Sequence, residues 1–150
     1  MKRVLSFLFI TAFMAHASSA ESSSSRLDRN CVEGDAEHGC TLYSLSLIEL
    51  IANAERYNGK QVHVVGYARL DKVHYDESGD SIYVSKEAAD HSMMTKDGLY
   101  LELSWDEELS YSKKQSDGYA IIEGIFSAKN QGHMGLWSGS IGKIRRFQWL

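Results

Sequence analysis

A mainly β domain, a small five-stranded barrel preceded by an α-helix, is the fold class this sequence predicts. Three features carry the reading. Beyond residue 60, five segments either alternate apolar and polar residues or are apolar on both sides, the patterns of half-buried and fully buried strands. One stripe of apolar residues at helical spacing precedes them. Gly66 and Gly124 interrupt otherwise strong strands, as residues at a barrel corner do.

The chain of 150 residues opens with an address, not a structural element. Lys2 and Arg3 are followed by the apolar run Val4 to Ala15 and by Ala17-Ser18-Ser19-Ala20, the small-residue pattern of a cleavage site. Residues 1–20 are therefore expected to be a signal peptide, with Glu21 the first mature residue and the protein exported to the periplasm or secreted. Removing Lys2 and Arg3 leaves 14 basic against 20 acidic residues, a net charge of −6, which argues against a phosphate-tracking nucleic-acid surface. No second apolar run has the length of a transmembrane segment.

Residues 21–40 are expected to be a flexible arm. After Glu21 it has four consecutive serines, and up to Asn30 it shows no apolar periodicity. Cys31 and Cys40 lie in it, separated by eight residues, and in an oxidising compartment such an isolated pair closes a disulfide more readily than it joins His38 in a zinc site with only three ligands.

Residues 41–150 are expected to form the barrel domain. Tyr43, Leu47, Leu50, Ile51, Ala54 and Tyr57 make one helical stripe, with Ser46 and Glu49 as a capping box and Asn58-Gly59 as the stop, a helix of about eleven residues. Gln61 to Leu70 then alternates as a strand, with Val62, Val64, Gly66, Ala68 and Leu70 on one face. Asp71 to Asp80 is a polar hairpin loop, Ser81 to Ser85 a short strand, and Lys86 to His91 one or two helical turns. Leu99, Leu101 and Leu103 mark a third strand, the charged stretch Trp105 to Asp117 follows no clear pattern, and Tyr119 to Ala128 is a central fourth strand. Ile141 to Trp149 is the fifth, although its pattern does not decide which face is buried. This order suits an OB-type barrel; an open α+β sheet with the helix on one face is the alternative.

Ser46-Leu47-Ile48-Glu49-Leu50-Ile51, Tyr57-Asn58-Gly59-Lys60-Gln61-Val62 and Val65-Gly66-Tyr67 resemble the opening of a widespread group of small bacterial OB-like domains. Tyr119 to Phe126 and Gly132-His133-Met134-Gly135-Leu136-Trp137-Ser138-Gly139 resemble the fourth strand and glycine-rich loop of uncharacterised exported members of that group. The resemblance spans residues 44–147. It implies the fold and an exported location, and it brings no catalytic residues with it.

Two surfaces are the candidates for binding. The loop 130–142, rich in glycine, would present His133, Met134 and Trp137 at the end of the barrel; the alternative is a packed loop in which Trp137 closes that end. The outward residues His63, Tyr67, Arg69, Tyr83, Tyr100 and Glu102 would form an aromatic wall able to stack on a glycan or a protein. No metal or cofactor is expected: His38, His63, His74, His91 and His133 match no zinc spacing, and Asp71, Asp76, Glu77 and Asp80 lack the twelve-residue calcium loop. No serine sits in a G-x-S-x-G elbow, and Glu107 and Glu108 are merely adjacent. The expected function is thus a non-catalytic, exported OB-like domain that binds a protein or glycan of the bacterial envelope. The alternatives are an inhibitor or immunity protein of an envelope enzyme, and a small hydrolase or metal-dependent enzyme.

Overall fold

A computed structural model describes residues 29–35, 37–70, 79–91, 96–104, 107, 110–111 and 115–150. The expected signal peptide and most of the serine-rich arm, residues 1–28, lie outside the described residues, as does most of the expected hairpin loop, 71–78.

The chain runs β1 (Cys31–Asp35), β2 (Gly39–Ser46), α1 (Leu47–Ala52), α2 (Ala54–Tyr57), β3 (Gln61–Arg69), β4 (Ser81–Tyr83), α3 (Lys86–Asp90), β5 (Gly98–Leu101), β6 (Asp117–Ser127) and β7 (Ser140–Trp149). Strands β3, β4, β5, β7 and β6 are hydrogen-bonded in that order, and β6 returns to pair with β3 over the full span Gln61–Arg69, so the sheet closes into a five-stranded barrel. All its pairings are antiparallel except β5 with β7. The architecture is that of an OB-like domain, and the open sheet is excluded.

Period-two alternation produces the core as expected. Val62, Val64, Ala68 and Leu70 of the first barrel strand meet Ile82, Leu99, Leu101, Ala120, Ile122, Phe126 and Ile141, all buried in one cluster. Gly66 is required where β3 exchanges β2 for β4 as its neighbour. A Cβ there would lie 2.5 Å from Leu47 Cδ1 and 2.7 Å from the Tyr83 carbonyl oxygen. Phe147 and Trp149 face the core beside Tyr111, Trp149 Nε1 donating to the Tyr111 carbonyl at 2.8 Å, which settles the inward face of β7.

The leading helix differs from its expectation. Tyr43 belongs to β2, which runs parallel to β3 through Ser46, and helix begins only after Ser46, whose Oγ accepts from Glu49 N at 3.1 Å. Asn53, at φ −124° and ψ 35°, then divides it into α1 and α2, its side chain donating to the Glu49 carbonyl at 2.9 Å beside the last helical bond from its own N–H. Leu47, Leu50 and Tyr57 still point into the barrel core.

The segment 31–40, read from the sequence as part of a flexible arm, is a β-hairpin at the sheet edge. β1 pairs with β2 through two register irregularities, and the Cys31–Cys40 disulfide ties the strands with Cα atoms 5.6 Å apart. Asn30 anchors its base, donating through Nδ2 to Glu49 Oε1 at 2.6 Å and to the Tyr57 hydroxyl at 3.1 Å.

Candidate functional site

The loop that joins β6 to β7 is built on turn chemistry. Ser127 Oγ accepts from Asn130 N at 3.2 Å, and Asn130 Oδ1 accepts from Gly132 N at 3.1 Å, which reverses the chain. A single 3-10 turn over His133–Gly135 follows, with Met134 at φ 54° and Gly135 at φ 67°. Trp137 then folds back beneath it. Its N–H donates to the Gln131 carbonyl, its ring packs on Gly132 and 5.5 Å from the ring of Tyr100, and only 3% of it remains exposed. Ser138 ties the far side to the start of β5, donating through Oγ to the Lys96 carbonyl at 2.6 Å and through N to the Gly98 carbonyl at 3.1 Å.

This arrangement separates the predicted loop residues. Trp137 is an internal brace that closes the end of the barrel, while His133, Met134 and Leu136 project outward, Met134 with 78% of its surface exposed and Leu136 with 44%. Leu136 is a surface residue that sequence reasoning did not single out. Its position between two glycine-rich stretches was the available signal.

A second brace lies at the root of the loop. Glu102 Oε1 accepts from Ser140 Oγ at 2.5 Å and from Asn130 Nδ2 at 2.7 Å, joining the end of β5 to both ends of the loop. Burial, followed by the charges of Asp80 and Glu102, pushes the Tyr100 phenol above its ordinary pKa.

The expected aromatic wall is divided into three. Tyr67 and Tyr83 are buried under α3, against Ala89. Arg69 straps that helix down, donating to the Ala89 carbonyl at 2.9 Å and pairing with Asp90 at 2.7 Å, while Lys86 pairs with the other Asp90 oxygen at 2.6 Å. The α3 start is capped by Ser85 Oγ, which accepts from Ala88 N. The Tyr67 hydroxyl donates to Asp117 Oδ2 at 2.7 Å, and this bond, with burial, raises the Tyr67 pKa. Tyr100 belongs to the loop cluster. His63 stands elsewhere, 3.0 Å from Glu123 Oε1, which also receives Arg146 at 3.2 Å. Alternation assigned these side chains to the outside of the sheet correctly, but it could not show that a five-residue helix covers part of that face.

Glu107 Oε2 accepts from Ser104 N and Oγ, at 2.9 and 2.8 Å, and these bonds hold its carboxyl below the usual range. Its sequence neighbour Glu108 lies outside the described residues. His38 pairs with Asp35 at the hairpin tip. Among the described residues no group of three or more His, Cys, Asp or Glu could hold a metal ion.

No protein-family model, curated protein or solved structure matches this chain. Its architecture and its surfaces therefore carry the functional argument by themselves. Among the described residues no helix is long and apolar enough to cross a membrane.

Proposed function

We propose that this chain is an exported, non-catalytic OB-like binding domain that recognises a protein or glycan of the bacterial envelope through the loop 130–142. The observation that carries the reading is the loop's inside-out arrangement: Trp137 is buried as a brace, whereas Met134 and Leu136 are held out in solvent. Burying either on a partner would return apolar surface from water, about 25 cal/mol for each Å². In barrels of this type the connection between the last two strands commonly meets the ligand. The N-terminal pattern of charge, apolar run and small residues supports export.

A second reading, an inhibitor that inserts this loop into an envelope enzyme, is favoured by the internal bracing at Gly132, Trp137 and Ser138, since a loop fixed before binding loses less entropy on insertion. The test is affinity capture from envelope extract with the oxidised domain and its Met134→Asp variant. Met134 touches little, so the variant should fold normally and lose the partner. Recovery of the same partners with both proteins rejects the loop as the binding element. A single enzyme whose turnover is blocked selects the inhibitor reading.

A further inference from the structure

The loop 130–142 carries a thioether at its outermost turn. Met134 lies in the 3-10 turn His133–Gly135 with 78% of its surface exposed. Backbone groups on either side close that turn, Gly135 N donating to the Gly132 carbonyl and Leu136 N to the His133 carbonyl, both at 3.3 Å. Trp137 N and Ser138 Oγ then fix the segment that follows, on the carbonyls of Gln131 and Lys96. The thioether takes no part in these bonds. Its exposure is therefore set by a braced backbone, and changing its chemistry leaves the bracing in place.

Among the described residues Met134 is the only methionine. It also holds the only sulfur there that is still fully reduced, because Cys31 and Cys40 are joined in a disulfide and no cysteine is free. The other oxidisable side chain of the loop, Trp137, is sealed beneath Gly132 and Tyr100. Oxidation of sulfur follows access to it, so an oxidant that reaches this end of the barrel meets Met134 first.

We propose that Met134 is an oxidation site of the folded chain, where a hydroperoxide forms the sulfoxide and so switches off binding by the loop. The inference rests on the reading of the loop 130–142 as the binding element and adds its regulation. The sulfur lone pair attacks one peroxide oxygen, an S–O bond forms and the O–O bond breaks. The proton on the transferred oxygen passes to the departing hydroxide, which leaves as water. Sulfur is thereby oxidised by two electrons and the peroxide reduced by two. The product exchanges an apolar tip for a polar S=O acceptor, and burying that acceptor in an apolar pocket of a partner leaves it without a hydrogen bond. Methionine sulfoxide reductases return the sulfoxide to the thioether, so the change is reversible.

The test treats the full chain, its disulfide intact, with hydrogen peroxide beside Met134→Leu, whose tip is apolar and inert to peroxide. The variant keeps Met1, Met14, Met93 and Met94, so oxidation at those positions is common to both proteins. Peptide mapping by mass spectrometry should find one added oxygen on Met134 of the folded parent, at a rate close to that in the chain unfolded by guanidinium, with the melting temperature unchanged. In affinity capture from envelope extract, the untreated parent and Met134→Leu with or without peroxide should hold the same partner, and the treated parent should lose it. Met134→Gln, polar like the sulfoxide, should fail to capture it without any peroxide. Oxidation of Met134 about tenfold or more slower in the folded than in the unfolded chain overturns the inference, since access then does not hold. A treated parent that carries the sulfoxide at Met134 and keeps its partner overturns it while leaving the loop reading intact. Equal loss from treated Met134→Leu also overturns it, by placing the effect elsewhere in the chain. An untreated parent that captures only what Met134→Asp captures overturns the loop reading, and the inference falls with it.

Discussion

At the scale of single residues, Glu123 shows how a surface position acquires a structural role. Its hydrogen bond with His63 first, and that with Arg146 after it, hold its carboxyl below the ordinary value of 4.5 despite partial desolvation. A carboxylate whose folded pKa is depressed stabilises the protein above its unfolded pKa, and that stability is lost as pH falls through the folded value. Chemical denaturation between pH 7 and 3 should therefore show stability declining below the ordinary glutamate range. Glu123→Gln should flatten that part of the profile. An identical slope in the two proteins would remove the His63–Glu123–Arg146 group from the account of acid stability. Trp137 and Met134 make the complementary point about legibility. Both were read from the sequence as loop residues with large apolar side chains, with a packed loop closed by Trp137 as the alternative, and the structure takes that alternative for Trp137, 3% exposed, while Met134 stays 78% exposed. That distinction arises from Gly132, whose lack of a Cβ lets the indole lie against the backbone.

At the scale of elements, the five barrel strands were legible because each carries the inward residues of one core at period two, a signal that local irregularity does not erase. The leading helix was legible in kind but not in extent. Tyr43 lies four residues before Leu47 and so continues the helical stripe by coincidence, whereas its real neighbours are Val62 across the sheet and the ring of Tyr57, 5.4 Å away. The β1 strand was illegible for a physical reason. It is bulged, its residues beyond Cys31 are exposed on both faces, and it therefore has no buried set to alternate. What holds such a strand is the hairpin ladder, Asn30 and the disulfide. Closing a ring this short contributes about 2 to 3 kcal/mol in the chain-entropy description. Reduction should lower stability by an amount of that order, and hydrogen exchange should quicken in Cys31–Tyr43 while β3 and β6 keep their protection. Loss of protection throughout the barrel on reduction would show that the hairpin is part of the core, contrary to this view.

At the scale of the whole molecule, closure makes the five strands interdependent. β6 is paired along its length with β3 on one side and with β7 on the other, and β7 in turn is joined to β5, so no barrel strand can leave without opening an edge. One buried cluster draws on all five strands and on β2, α1 and α2, while a second, small one of Tyr67, Tyr83 and Ala89 lies under α3. Trp137, bracing the loop end, and Trp149, at the end of β7, report on different places in this structure. If closure governs stability, tryptophan fluorescence, recorded in a Trp105→Phe background so that Trp137 and Trp149 supply it, and far-ultraviolet circular dichroism should give coincident transitions, as a two-state domain requires. Ile122, fully buried at the centre of β6, supplies the perturbation. Ile122→Ala should destabilise by about 2 to 5 kcal/mol and move both transitions together. A fluorescence transition that precedes the loss of strand signal, or that stays in place in Ile122→Ala, would mean that the loop or the end of β7 opens while the rest of the barrel persists. The braces at Trp137 and Glu102 would then be a separate folding unit and not part of the closed sheet.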